Sequence, residues 1–234
     1  MIVAAIADLH CRVSTKGLVK KILEGVQDEA EVLVVAGDLT DTGLPEELEV
    51  LLEDVHALSI PILAVFGNHD HESGKAADLA DMIKGSNIHL LEGTSYEIDG
   101  VGFVGAKGFC GGFDKTLIQP FGEAVLKAFI RSSIDEAVLL ENSLARLQCD
   151  TKVAVLHYSP VKATLEGEPQ ELFAFLGSSR LANALDRQKA DLAVHGHAHH
   201  GSPHGRTPGN IPVHNVSRFV LDKYSQRNYC ILEL

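Results

Sequence analysis

Asp8-Leu9-His10, Gly37-Asp38-Leu39-Thr40-Asp41, Gly67-Asn68-His69-Asp70, a lone His157 and Gly196-His197-Ala198-His199 are the segments whose residue types could do chemistry. Together they offer carboxylate, amide and imidazole donors, a set suited to two adjacent metal ions. Each follows an apolar run that reads as a buried strand: residues 2–7, 32–36, 60–66, 153–156 and 192–194. Open α/β sheets gather ligands beyond the carboxyl ends of their strands, so polar clusters at successive strand ends point to one site. Asp and Asn are also ordinary turn residues. One such cluster is weak evidence; five of them are hard to explain as turns alone.

Strands that carry these loops must be supported by helices, and helical spacing lies between them. Residues 18–26 place Leu18, Val19, Ile22, Leu23 and Val26 on one face, with Ser14 and Thr15 as candidate caps. Pro45 suits a first helical turn, and Leu48, Leu51, Leu52 and Val55 form the next apolar stripe. Further helices are expected over 75–83, 123–147, 170–176 and 179–188. The short runs 88–91, 95–98 and 101–104 are separated by Gly and suggest antiparallel pairing. Two last strands are expected near 211–216 and 228–233. This alternation is that of an α/β protein.

The chain has 234 residues, 45% of them hydrophobic, and no Pro/Gly/Ser-rich linker divides it. Clusters spread from residue 8 to residue 199 must meet, so one domain over 1–234 is expected. No apolar stretch approaches the roughly 20 residues that cross a bilayer. The first residues run straight into a strand without a basic leader, and the four cysteines form no CxxC pair. A cytoplasmic protein with reduced thiols is the expectation. The formal charge is −12, without a run of Lys or Arg. That disfavours a partner such as long nucleic acid, whose phosphates are held by clustered basic residues, and leaves a small phosphorylated substrate open, since bound cations dominate a local field.

The order of the five segments resembles the calcineurin-like metallophosphoesterases, whose pattern is D-x-H, G-D-x-x-D, G-N-H-D/E, a lone H, then G-H-x-H. The resemblance spans residues 8–199. It implies a four-layer α/β/β/α sandwich with two mixed β-sheets flanked by helices. It implies one metal held by Asp8, His10, Asp38 and His199, and a second held by Asp38, Asn68, His157 and His197, with Asp38 bridging. Mixed oxygen and imidazole ligands suit Mn, Fe, Zn or Ni better than Mg or Ca. His69 is then the general acid for the leaving group, Asp41 the carboxylate that orients it, and a metal-bridging hydroxide the in-line nucleophile. The implied activity is hydrolysis of a small phosphodiester or phosphomonoester; a non-catalytic metal-binding scaffold of the same fold is the alternative.

Other residues are open. Arg12 is a candidate clamp for a substrate phosphate, and Asn68 is a second candidate substrate contact. The histidine run admits a second register through His195 and His197, though the Gly directly before His197 favours His197 and His199. His204, His214 and the glycine-rich loop 107–113, with Lys107, Phe109 and Phe113, are as consistent with structure as with substrate contact. Asp70 fits the acidic position of its motif as a support behind the ligands.

Overall fold

The computed structural model describes residues 1–234 and builds them into two mixed β-sheets packed face to face, with helices on both outer faces. In the first sheet β1 (Ile2–Ile6), β2 (Val32–Ala36), β3 (Ile62–Val65) and β4 (Ile88–Leu90) run parallel, and β11 (Cys230–Glu233) pairs antiparallel with β1. In the second, β6 (Val101–Ala106), β7 (Thr151–Leu156), β8 (Leu192–His195) and β10 (Pro212–Asn215) are parallel. Antiparallel strands β5 (Ser95–Ile98) and β9 (His204–Arg206) close its two edges.

Alternate side chains of each strand face opposite ways, and the burial follows. Val3, Ala5, Val32, Val34, Leu63 and Val65 meet Val101, Phe103, Val153, Val155 and Val194 between the sheets. Their neighbours face outwards. Ala4, Ile6, Leu33 and Val35 pack on α1 (Leu18–Ile22), α2 (Val26–Glu29), α3 (Pro45–Val55) and α4 (Ala76–Ile83). Val104, Ala154 and Leu156 pack on α5 (Ala124–Arg146) and α7 (Ser179–Gln188), while α6 (Phe173–Leu176) borders the loops. Fully buried side chains such as Phe66 and Phe103 each contribute about 1.5–3 kcal/mol of transfer free energy. The expected four layers are present.

Three details differ from the sequence expectation. The helix read over 18–26 is two short helices, because Gly25 adopts φ +80 and breaks the ladder between them. Of the three short runs between residues 88 and 104, only β5 and β6 pair antiparallel with each other; β4 instead joins β3 in parallel, where Ile88 is buried against the first helical layer. A helix absent from the sequence reading, α8 (Arg218–Tyr224), leaves the end of β10 and packs Leu221 on the first sheet's outer core. Its first residue donates its backbone N–H to the carbonyl of Ala7, 3.1 Å away. That contact brings α8 to the same edge as Asp8.

Candidate metal centre

The five clusters lie where the parallel strands of both sheets end, and the structure gathers them into groups. Asp8, His10, Asp38 and His199 form one, and Asp38, His157 and His197 form another, in each case with ligand atoms within 4.8 Å of one another. Asp38 belongs to both. Asn68 Oδ1 lies 2.9 Å from His157 Nε2, which places the amide at the second group. Eight non-glycine residues have positive φ, and four of them are Asp8, His10, Asp38 and His197. Left-handed backbone costs a non-glycine residue of order 1–3 kcal/mol and collects at functional sites. Here it turns each side chain from its strand end towards the common centre.

Two glycines make room for this convergence. A Cβ on Gly37, which has φ +90, would lie 2.3 Å from His157 Nδ1. A Cβ on Gly67 would lie 2.0 Å from Asp38 Oδ1 and 2.4 Å from its backbone nitrogen. Gly67→Ala is therefore expected to displace Asp38 and lower kcat/KM by about 10²-fold or more, the scale of a 1 Å misplacement. A crystal structure showing Asp38 unmoved in an active variant would contradict this.

Several polar atoms at the centre lack partners within the protein. His10 Nε2, Asp38 Oδ2 and His199 Nε2 are buried without a hydrogen bond. His10 Nε2 lies 3.6 Å from Asp38 Oδ2, and His199 Nε2 lies 3.6 Å from Asp8 Oδ1. His157 donates Nδ1–H to the Ala36 carbonyl at 3.0 Å. Its Nε2 then presents a lone pair to two further acceptors, Asn68 Oδ1 and, at 3.4 Å, Asp38 Oδ1. Acceptors facing acceptors in a dry site repel unless a cation lies between them. This donor set fits divalent ions.

Electrostatics point the same way. Burial, and then the neighbouring carboxylates of Asp8 and Asp70, push Asp38 far above its ordinary range. Asp8 is also raised by burial, but its contacts with His199 and His157 outweigh that and hold it below its ordinary value. Burial lowers His10 and His197 to about 4 and His157 well below its ordinary value. Near neutral pH these imidazoles stay uncharged, the form that ligates metals. The backbone N–H of His197 donates to both oxygens of Asp8, at 3.0 and 3.1 Å, tying the two sheets together.

Asp41 and His69 meet, but not as the sequence reading had it. His69 donates Nδ1–H to the backbone carbonyl of Asp41 at 2.6 Å rather than to its carboxylate. The carboxylate is engaged by Arg12, with Nε 2.8 Å from Oδ2 and Nη2 3.0 Å from Oδ1. Its Oδ1 also lies 3.4 Å from His10 Nδ1, without hydrogen-bond alignment. A bidentate guanidinium is the stronger claim on a carboxylate, so Asp41 faces Arg12 and His10 and leaves only its carbonyl to His69. The Arg12 fork is thus closed on Asp41 instead of open for a phosphate. The His69 ring stands edge-on to that of His10, with centroids 4.5 Å apart.

Supporting residues separate cleanly. Asp70 is buried and accepts from the backbone N–H groups of Leu39, Thr40 and Gly67 and from the Thr40 hydroxyl, bracing two of the loops. His195 lies outside the groups: its Nε2 hydrogen-bonds Thr164 Oγ1 at 2.8 Å and its Nδ1 the Gly196 carbonyl at 2.7 Å. The backbone N–H of His200 donates to Glu168. His204 and His214 pair with each other across β9 and β10, with Nδ1 atoms 3.2 Å apart. In the glycine-rich loop, Lys107 donates to the Gly108 carbonyl and lies over Phe109, and Phe113 packs beneath Ala198. Sequence reasoning missed Phe219, whose ring centroid is 4.3 Å from that of His199, and Tyr158, 4.4 Å from His197. No residue spacing announced either contact.

Comparison with known proteins agrees with this geometry. The calcineurin-like phosphoesterase family profile matches residues 1–201. The chain belongs to that family, a class of metal-dependent phosphoester hydrolases. A probable glycerophosphodiester phosphodiesterase GpdQ of Arcobacter nitrofigilis is 23% identical over 214 residues, covering 85% of this chain and 72% of that protein. The glycerophosphodiester phosphodiesterase GpdQ of Enterobacter lignolyticus is 32% identical over 85 residues, 31% of each chain. Among solved structures, TT1561 of Thermus thermophilus shares the fold at a TM-score of 0.54 and 12% identity, covering 94% of this chain and 90% of that one. No helix of the chain is long and apolar enough to cross a membrane.

Proposed function

We propose that this protein hydrolyses a small phosphodiester, using two divalent metal ions held by Asp8, His10, Asp38 and His199 and by Asp38, Asn68, His157 and His197. The observation that carries the reading is the convergence of buried, unpartnered donors on His10, Asp38 and His199 around a carboxylate shared by both groups. When bound, the ions supply an activated water and neutralise the phosphoryl oxygens. Asp38 holds both positions in register. His69, with Nδ1–H fixed on the Asp41 carbonyl, keeps Nε2 for the leaving-group oxygen and delivers a proton there. Arg12 and Asp41 hold the loop that carries His10. The oxygen and imidazole donors favour Mn, Fe, Zn or Ni. A single domain over residues 1–234 belongs to this reading, since the two groups draw on strands of both sheets.

Similarity to two proteins named as glycerophosphodiester phosphodiesterases favours a diester over a monoester. The test is hydrolysis of bis-p-nitrophenyl phosphate and p-nitrophenyl phosphate side by side, after chelation and add-back of single metals. Activity should vanish on chelation, return with Mn, Fe, Zn or Ni, and be greater on the diester. A chelator-resistant activity, or none with any metal despite two ions bound per chain, would overturn the reading, the latter in favour of a metal-binding scaffold.

A further inference from the structure

Imidazoles that ligate metals are usually oriented by a hydrogen bond to the ring nitrogen that faces away from the ion. Of the four imidazoles proposed as ligands, one makes such a bond within the protein. His157 donates to the Ala36 carbonyl, whereas His10 Nδ1 lies beside the Asp41 carboxylate without hydrogen-bond alignment and the His197 ring is bordered by the rings of His157 and Tyr158. His199 makes no such bond. Its one polar contact is the 3.6 Å approach of Nε2 to Asp8, on the side of the metal group. What lies against its ring is Phe219, with centroids 4.3 Å apart and planes inclined at 32°.

We infer that Phe219 is the positioning residue of His199, holding the imidazole by ring-on-ring packing. This rests on the proposed role of His199 as a ligand. Aromatic contacts at such separations contribute about 0.5–1.5 kcal/mol beyond their buried area, and they restrict rotation of the imidazole about its last torsion. Phe219 is itself held from two directions. Its backbone follows Arg218, whose N–H donates to the Ala7 carbonyl at the end of β1, and the Arg218 guanidinium lies 4.8 Å from the Phe219 ring centroid. The same ring comes within 6.1 Å of the His10 centroid, so one side chain borders two donors of the first group. Phe219 lies beyond residue 201, where the family match ends. This chain thus completes its first metal position with a segment outside the shared motifs.

The test is titration of the chelated full-length protein with Mn²⁺ or Co²⁺, followed by calorimetry and, for cobalt, by its visible absorption. Phe219→Leu keeps bulk but loses the ring. It is expected to weaken one of the two binding events by about 10–100-fold, the usual effect of losing an orienting partner, and to leave the other unchanged. Phe219→Tyr should bind as the parent does. His199→Ala serves as the reference and should lose the same event. If Phe219→Leu binds both ions with parental affinity, or loses affinity equally at both positions, the inference fails. A fall in melting temperature of the metal-free protein with unchanged affinities would likewise reduce Phe219 to packing and overturn it. If instead His199→Ala retains both ions, the proposed ligand set fails and not merely the role of Phe219.

Discussion

Asp38→Asn is expected to abolish activity and metal content together. The side chain keeps its size, so any loss follows from the removed charge and the removed ligand oxygen. Asp38 is the one residue common to both ligand groups. Its Oδ2 is buried without a hydrogen bond, and its Oδ1 accepts the His69 backbone N–H at 2.9 Å while lying 3.4 Å from His157 Nε2. Burial and nearby carboxylates make its negative charge costly in the metal-free protein, a cost that two cations would remove. An amide in its place supplies one neutral oxygen to a position that needs an anion shared by two ions. Metal content should fall from two ions per chain to one or fewer, and kcat/KM by about 10³-fold or more, equivalent to several kcal/mol of transition-state stabilisation. Retention of two ions at near-parental affinity would show that Asp38 does not bridge.

The second large effect is expected at His69. Its ring is partly exposed, edge-on to His10, and fixed by one hydrogen bond from Nδ1 to the Asp41 carbonyl. It falls outside the two groups that share Asp38, although it neighbours His10 and Asp41. His69→Ala should therefore keep both ions while kcat falls by about 10²–10⁴-fold, the usual contribution of general acid catalysis. The loss should be large for an alkoxide leaving group and should shrink for p-nitrophenolate, which departs without a proton. Equal losses across such a series would remove the general-acid role. Because the ring is held through the Asp41 backbone, Asp41→Asn should preserve the leaving-group dependence, a result that a carboxylate–imidazole couple would not give.

The legible part of this site is the part that depends on local chemistry. Each donor follows a short apolar run, and an apolar run bounded by Gly and Asp has few options but a strand and its turn. The four-layer arrangement was implied by the family resemblance; the alternation of strands and helices was compatible with it and gave only the α/β class. The contacts that were not legible are those between segments remote in the chain. The Asp41 carboxylate faces Arg12, 29 residues away, and not His69. In the sequence the two pairings look alike; in space the guanidinium approaches with its fork aligned. Likewise β4 has the composition of a hairpin strand, yet its partner is β3 because the first helical layer buries Ile88.

Residue types, their order and the apolar runs that precede them were thus determined by the sequence itself, because a buried strand ending in a polar turn is a local requirement of backbone sterics and hydrophobic burial. Only the tertiary structure decided which groups meet. It set His195 against Thr164 and His199 against Phe219, since those neighbours come from loops and a short helix whose positions depend on packing across both sheets.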